Sequence, residues 1–425
     1  MLNRTIAPLI KPIERFEIPQ PQHKVLPNSI DLYTINMGES DVMRIDFIFP
    51  SGKWDQEKVL TATFTNQLLK EGAGNLTSLQ IAERLDYYGA WLQSSVTQHN
   101  SYLAVYILNK HIDALLPIIE SIVKEPTFPE SEFSTSIDRH KQQHKISLEK
   151  VSHLCLEASL GQLFGVNHPY GKHATLVNFD ALNTIDLRDF YMQHYHSGNC
   201  KIMLTGKVSK ESERLITEQF GIANWGKPSQ KTPKEYLIEP ATEKIIKIEK
   251  PDAMQSAIRI ASPCISREHP DFHGLKILNT VFGGYFGSRL MTEVREKKGF
   301  TYSIGSSVAT QQKAAYMSIA TQTGSEYVEP LIEAVFEEMK KLQETKINSE
   351  ELECVRNYMM GDFTRSFDGP FAIADAHISL LANKLKVDYY KNQIQTIRNM
   401  TAETLQELAQ KYLSQEQFYL AIAGK

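Results

Sequence analysis

Residues 281–308, VFGGYFGSRLMTEVREKKGFTYSIGSSV, decide how this chain is read. The stretch opens on Gly283, Gly284 and Gly287, where a backbone can turn tightly or approach another segment closely. Ser288 stands at an N-cap position and Gly299 where a helix stops, so SRLMTEVREKK is expected to be a short helix carrying Arg295 towards its C-terminal end. After Gly299 the period changes, and FTYSIGSSV reads as a strand that holds Tyr302. A guanidinium on the helix end and a phenol hydroxyl on the next strand can both hydrogen-bond one peptide carbonyl. A glycine-rich turn before a helix also suits phosphate, but the chain has no Walker lysine and no GxGxxG spacing here, so nucleotide binding is set aside. Taken by spacing alone, Arg295 and Tyr302 are a solvated helix end and an ordinary strand aromatic.

That plain reading weakens because the chain contains the pattern twice. Ser78 to Gly89, SLQIAERLDYYG, has the same length and end signals and is followed by a strand, AWLQSSVT; both ends repeat at an offset of 210. The strand through Pro50 recurs through Pro263 (offset 213), and YLAVYIL near Tyr102 recurs as AYMSIAT near Tyr316 (offset 214). Near each half's end a helix runs into a strand and a Gly-Lys, so that Gly206 answers Gly424 at an offset of 218. Such repetition is the mark of a duplication, and each half, at about 200 residues, is of ordinary domain size. The expected fold is therefore α+β: two tandem homologous domains, each a mainly antiparallel sheet with helices packed on it. The boundaries fall at 1–225 for the first repeat, 226–250 for a linker and the start of the second, and 251–425 for the rest.

Composition agrees. A chain of 425 residues exceeds what one core usually supports, and 42% hydrophobic with 23% charged residues is ordinary for a globular protein. A net charge of −4 leaves no electrostatic footprint for nucleic acid or an anionic membrane. Cys155, Cys200, Cys264 and Cys354 form no CxxC pair, which suits a reducing compartment and argues against a disulfide framework or a cysteine zinc site. The opening MLNRTIAPLIKPIERFEIPQPQ has no apolar h-region, so the chain is expected in the cytoplasm, with this proline-rich stretch as an extended arm on the body.

Along the chain, 32–35 and 43–49 read as a pair of strands, and 55–72 as a helix with an Asp55 N-cap and a Gly72 stop. Strands around 91–97 and 101–108 follow, then helices at 112–124 and 130–150, and a turn at His168–Gly171 (HPYG). The Pro-, Lys- and Thr-rich 223–240 reads as the connection between halves. Helices are expected again at 327–342 and from about Ser349.

Two tandem α+β halves, the HPYG turn and GGYFGSRLMTEVREKKGFTYSIGS together resemble the insulinase/pitrilysin-type zinc metallopeptidases, in their shorter bacterial processing-peptidase branch. The resemblance runs from about Asp31 to Lys425 and is most specific at REKKGFTY, Arg295 to Tyr302. It implies that each chain forms half of a clamshell, and that Arg295 and Tyr302 hold substrate backbone opposite a zinc ion, with Gly283, Gly284 and Gly287 bordering the chamber.

The family's chemistry rests on H-x-x-E-H in the first half: two histidines on one helical face bind zinc, and the glutamate acts as general base. Counting back from Gly72, this chain has Thr63, Asn66 and Gln67 at those positions. A third ligand, a glutamate, belongs near 142–145, yet no glutamate occurs between Glu132 and Glu149. Neutral Thr, Asn and Gln side chains bind zinc poorly and take no proton from water near neutral pH. His140 and His144 share a helical face without an acid between them and read as solvated. The pairs His269/His273, around Pro270, and His194/His196, at a helix end, read as structural.

A member with no zinc ligands and an intact Arg/Tyr motif resembles the zinc-less subunit of a two-chain processing peptidase. The leading expectation is a non-catalytic, substrate-binding subunit with no catalytic residue and no metal or cofactor of its own. Its zinc would reside in a partner of similar size that carries H-x-x-E-H, and a peptide would be the substrate. A homodimer of the isolated chain stays open. The alternatives are an inactive scaffold that kept the clamshell and a self-sufficient peptidase with a non-standard metal site.

Overall fold

The computed structural model describes residues 16–227 and 234–425. The two halves share a five-strand sheet topology, to which the first half adds one edge strand, Gln22–Val25. In the first, the strands run in the order Gln22–Val25, Asp31–Asn36, Lys201–Gly206, Val42–Phe49, Ser101–Leu108, Trp91–Val96. In the second, the order is Ile245–Glu249, Tyr419–Gly424, Ser256–Cys264, Ala315–Thr323, Thr301–Thr310. Each sheet is antiparallel except for one parallel pair, Asp31–Asn36 with Lys201–Gly206 and Ile245–Glu249 with Tyr419–Gly424. The fold is the expected mixed α+β arrangement of sheets with packed helices.

The repeated landmarks occupy equivalent places. Gly206 and Gly424 both end the strand that lies beside a half's central strand, with φ of +109° and +147°. A Cβ on Gly206 would stand 2.4 Å from the Val42 carbonyl oxygen, and one on Gly424 2.6 Å from the Ser256 Cα. Both positions need glycine for the same reason: the backbone turns through a left-handed conformation while pressed against the neighbouring strand.

Helices cover one face of each sheet with an apolar stripe. Ile112–Lys124 buries Leu115, Leu116, Ile119 and Ile122, and Val328–Glu344 buries Leu331, Ile332, Val335 and Met339, the spacing of one helical face. Each half thereby has its own large core. The other faces are covered by exchange. The Val151–Phe164 helix packs on the second sheet, against Ser256–Cys264 and Tyr419–Gly424, where Ala257, Ala421 and Ala423 let it approach and Cys155 Sγ reaches the Ala421 carbonyl at 3.2 Å. The Pro370–Ala382 helix packs on the first sheet, against Lys201–Gly206 and Asp31–Asn36. Each half therefore lends one helix to the other, which makes the two sheets one assembly.

Several boundaries differ from expectation. The strands at 32–35 and 43–49 form but do not pair, because Lys201–Gly206 inserts between them. The helix expected from Asp55 begins at Thr61: Asp55 turns back to accept from the Gly52 amide at 2.9 Å, and Leu60 enters with φ +81°. The cap before Ile81 is Thr77 rather than Ser78, in a reciprocal box with Gln80. Of the N-terminal arm, residues 1–15 lie outside the described residues. Phe16 stands edge-on to Phe363 and Phe367, and the Pro19 carbonyl accepts from His377 Nε2 at 2.8 Å, so the described part does lie on the body. The connection at 223–240 is described except for 228–233. No helix among the described residues is long and apolar enough to cross a membrane.

Candidate functional site

The glycine-rich stretch is wound more loosely than expected. Thr280–Gly284 and Met291–Lys297 are π-helical, as the bond from the Lys298 amide to the Glu293 carbonyl illustrates at 3.1 Å. Such segments recur where a side chain must be re-aimed. Ser288 accepts the first helical bond through its carbonyl, from the Thr292 amide, but its hydroxyl is buried without a partner and caps nothing. Gly299 closes the segment at φ +64°, as expected.

Gly283 lies against the strand that follows, where a Cβ would stand 2.8 Å from the Ser306 amide nitrogen. Glycine at 283 is what lets the π-helical turn touch Thr301–Thr310. Gly284 ends that turn, and Gly287 lies just before Ser288.

Arg295 and Tyr302 do come together. The Arg295 guanidinium carbon is 5.6 Å from the centre of the Tyr302 ring and 5.0 Å from that of Phe286. Phe286 and Tyr302 are 68% and 87% exposed, unusual for aromatics that serve only a core. Phe286 was not among the residues singled out from the sequence; its signal is an aromatic set between Gly284 and Gly287. The register of Thr301–Thr310 slips between Thr301 and Ile304, a bulge that holds Tyr302 and Ser303 and turns them outward. This strand is the edge of its sheet, paired with another strand on one side only, though at Ser306 it is met by Gly283 and its carbonyl accepts from Asn279 Nδ2 at 3.3 Å.

The helix at the zinc-motif position keeps its place but not its chemistry. Asn66 is fully buried, and its Nδ2 donates to the Tyr195 hydroxyl at 3.1 Å, while its Oδ1 has no partner. Burial pushes the Tyr195 phenol up to about 12, so it stays protonated. Gln67 Oε1 is likewise buried and unpartnered, and Thr63 faces a cavity of about 410 Å³. These three neutral side chains, one of them committed to a phenol, do not fit a zinc ion. His144, His153, Glu157 and His173 line the same cavity, yet among the described residues no three His, Cys, Asp or Glu side chains are grouped to hold a metal.

His140 and His144 are not solvated, contrary to expectation. The His140 ring packs edge-on to Phe64 at 5.1 Å and donates from Nδ1 to the Ser136 carbonyl at 2.8 Å. His144 packs on Phe179 at 5.5 Å. The polar helix Glu130–Leu148 turns this face inward against Thr61–Leu68, which its low apolar content conceals. His269 accepts from the Asp271 amide just before the helix Phe272–Asn279, and His273 packs on Tyr389. His194 ends the Thr184–His194 helix with its ring on Phe190, and His196 is buried beside it. The HPYG turn joins the halves: the Tyr170 hydroxyl meets His99 Nε2 at 2.6 Å and accepts from the Lys313 amide at 3.2 Å.

Residues 181–359 match the family model described as peptidase M16 inactive domain. An uncharacterized zinc protease, YmxG, of Bacillus subtilis is 23% identical over 310 residues, 72% of this chain and 74% of that protein. A non-peptidase homolog, YmxG, of Helicobacter pylori is 21% identical over 315 residues, 72% of this chain and 71% of its own. The crystal structure of a peptidase M16 inactive domain from Pseudomonas fluorescens superimposes with a TM-score of 0.84 at 23% identity, covering 95% of this chain and 98% of that one. Residues 181–359 are thus similar to the peptidase M16 inactive domain, and most of the chain is similar to proteins named as zinc proteases or a non-peptidase homolog.

Proposed function

We propose that this chain is the non-catalytic, substrate-binding member of a two-chain zinc peptidase. One observation carries the reading: Arg295 and Tyr302 converge at the start of an open edge strand, in a chain whose Thr61–Leu68 helix offers no zinc ligand. The family name alone leaves both descriptions of the relatives open. The absence of histidine at 63 and 67 and of glutamate at 66 favours the non-peptidase description here.

In this reading an extended peptide adds to the free side of Thr301–Thr310. Backbone hydrogen bonds supply affinity with little regard to sequence, and pockets beneath alternate side chains supply selection. Phe286 and Tyr302 hold the Arg295 guanidinium between them, so that it meets a peptide carbonyl without first losing rotamer freedom. The partner is a chain of similar size with H-x-x-E-H, whose residues would hold the zinc and supply the activated water that this chain's neutral Thr63, Asn66 and Gln67 do not provide. All four cysteines are free, which suits a reducing compartment such as the cytoplasm.

The test is reconstitution with an H-x-x-E-H-bearing family member and a peptide-cleavage assay. Arg295→Ala and Tyr302→Ala are each expected to lower kcat/KM about tenfold or more. Unchanged kcat/KM in both variants overturns the reading. Assembly with the partner but no peptide binding by either chain alone or together would make this a scaffold instead.

A further inference from the structure

The edge strand Thr301–Thr310 starts at the Arg295–Tyr302 pair and ends in the wall of a cavity of about 740 Å³ between the two halves. Most of the cavity is polar and uncharged, with Gln93, Ser95, Gln98 and Gln311 in its lining. Of its charged groups, Arg44 and Asp375 are paired at 2.7 Å, with Arg44 also bonded to Asp46 at 2.8 Å. Among the described residues, two of its cations are left without a carboxylate. Among the described residues Arg267 hydrogen-bonds hydroxyls, through Nε to Thr310 Oγ1 and through Nη1 to Ser379 Oγ at 3.3 Å. Lys53 has no side-chain partner among the described residues; the protein around it holds its ammonium below the usual lysine range while the side chain stays open to the cavity. Lys313 and Lys384 add positive potential at His99 in the same wall, against Asp55.

An uncompensated guanidinium and ammonium facing one polar cleft form an anion site, and the guanidinium is tied to the last residue of the proposed peptide-binding edge. From Tyr302 to Thr310 the strand spans about 26 Å, the reach of an extended peptide of about eight residues. We propose that this cavity receives a carboxylate of the bound peptide, so that the substrate class is an extended peptide held at one end by Arg295 and Tyr302 and at the other, through its negative charge, by Arg267 and Lys53. The proposal rests on the reading of Thr301–Thr310 as a peptide-binding edge. The carboxylate is either an acidic side chain or the peptide's C-terminus.

Three fluorescent peptides of about ten residues, identical except for charge, separate these sources by anisotropy with the full chain. One carries a glutamate near its amidated C-terminus, one carries glutamine there and a free C-terminal carboxylate, and one carries glutamine and an amidated C-terminus. At least one acid-bearing peptide is expected to bind about tenfold more tightly than the neutral one, and which one does so names the source. Lys53→Gln and Arg267→Gln are each expected to erode that preference to about threefold or less. Lys53 has no bond to lose, so its variant keeps the test valid even if Arg267→Gln fails to fold. Equal binding of all three peptides overturns the carboxylate site and leaves the edge-strand reading standing. Binding of none overturns both. A preference untouched by Lys53→Gln together with uniform weakening by Arg267→Gln makes Arg267 a structural anchor of Thr310, and the proposal fails.

Discussion

Arg44 donates from Nη2 to the Asp375 carboxylate at 2.7 Å, tying an interior strand of the first sheet to the helix lent by the second half. Its Nε donates to Asp46 at 2.8 Å, and its guanidinium lies 5.6 Å from the ring centres of both Tyr106 and Phe371. Asp375 is largely exposed, but Arg44 and Asp46 are buried. Burial pushes the Asp46 carboxyl up to about 7, with Arg44 pulling against it. The cation therefore neutralises an acid that the interior disfavours. Arg44→Leu is expected to cost about 3 kcal/mol or more in urea unfolding, because Asp46 is left without its counter-charge. Arg44→Leu combined with Asp46→Leu is expected to recover most of that loss. A double variant as unstable as the single one would show that packing around the strand, not charge, sets the cost.

Equivalence of the two halves makes a second prediction. Alanine at Gly206 or at Gly424 must adopt a left-handed φ and push its methyl against the next strand. Each substitution is expected to cost about 2–3 kcal/mol, by clash and backbone strain together. Thermal unfolding of both variants checks it. A neutral effect at either position would mean that the two strand ends are not under the same constraint.

The duplication was legible because each half repeats its glycine stops and strand prolines, and local signals of this kind survive without tertiary information. The exchange of Val151–Phe164 and Pro370–Ala382 was not, since a helical period states which face is apolar but not which sheet receives it. The start of the Thr61–Leu68 helix was misplaced because Asp55 is an equally good cap for a turn, and its carboxylate went to Gly52. At the candidate site, Arg295, Tyr302 and the glycines were singled out by pattern together with the family resemblance, and the structure brings Arg295 and Tyr302 together. The π-helical winding and the bulge that aim the two side chains depend on contacts with Ser306 and Thr321, far along the chain. His140 and His144 misled because a polar helix was equated with an exposed one.

The Arg295 cluster predicts loss of binding without loss of stability. Tyr302 and Phe286 are mostly exposed, so Tyr302→Ala and Phe286→Ala are each expected to change unfolding free energy by about 0.5 kcal/mol or less. Peptide affinity is expected to fall about tenfold for Tyr302→Ala and about threefold for Phe286→Ala, which removes only one wall around the guanidinium. Tyr302→Phe separates the hydroxyl from the ring: it keeps the face that Arg295 lies over but not the donor. If Tyr302→Phe binds as tightly as the wild type, the phenol donates nothing to the peptide and only the stacking counts.

Acid sensitivity should trace to His99. Burial, aided by Lys313 and Lys384, lowers its folded pKa to about 4, while the unfolded chain protonates near the ordinary 6.5. Between those values the unfolded state binds more protons, so this residue's contribution is complete above about pH 6.5 and is lost as the pH falls towards 4. His273, also lowered to about 4, acts in the same direction. Midpoint urea concentrations measured from pH 7 to 4 are therefore expected to fall. His99→Gln, which can still hydrogen-bond the Tyr170 hydroxyl but does not titrate, is expected to fall less steeply over that window even if it starts lower at pH 7. A variant whose midpoint declines in parallel with the wild type would remove His99 from the account and leave the acid loss to other groups.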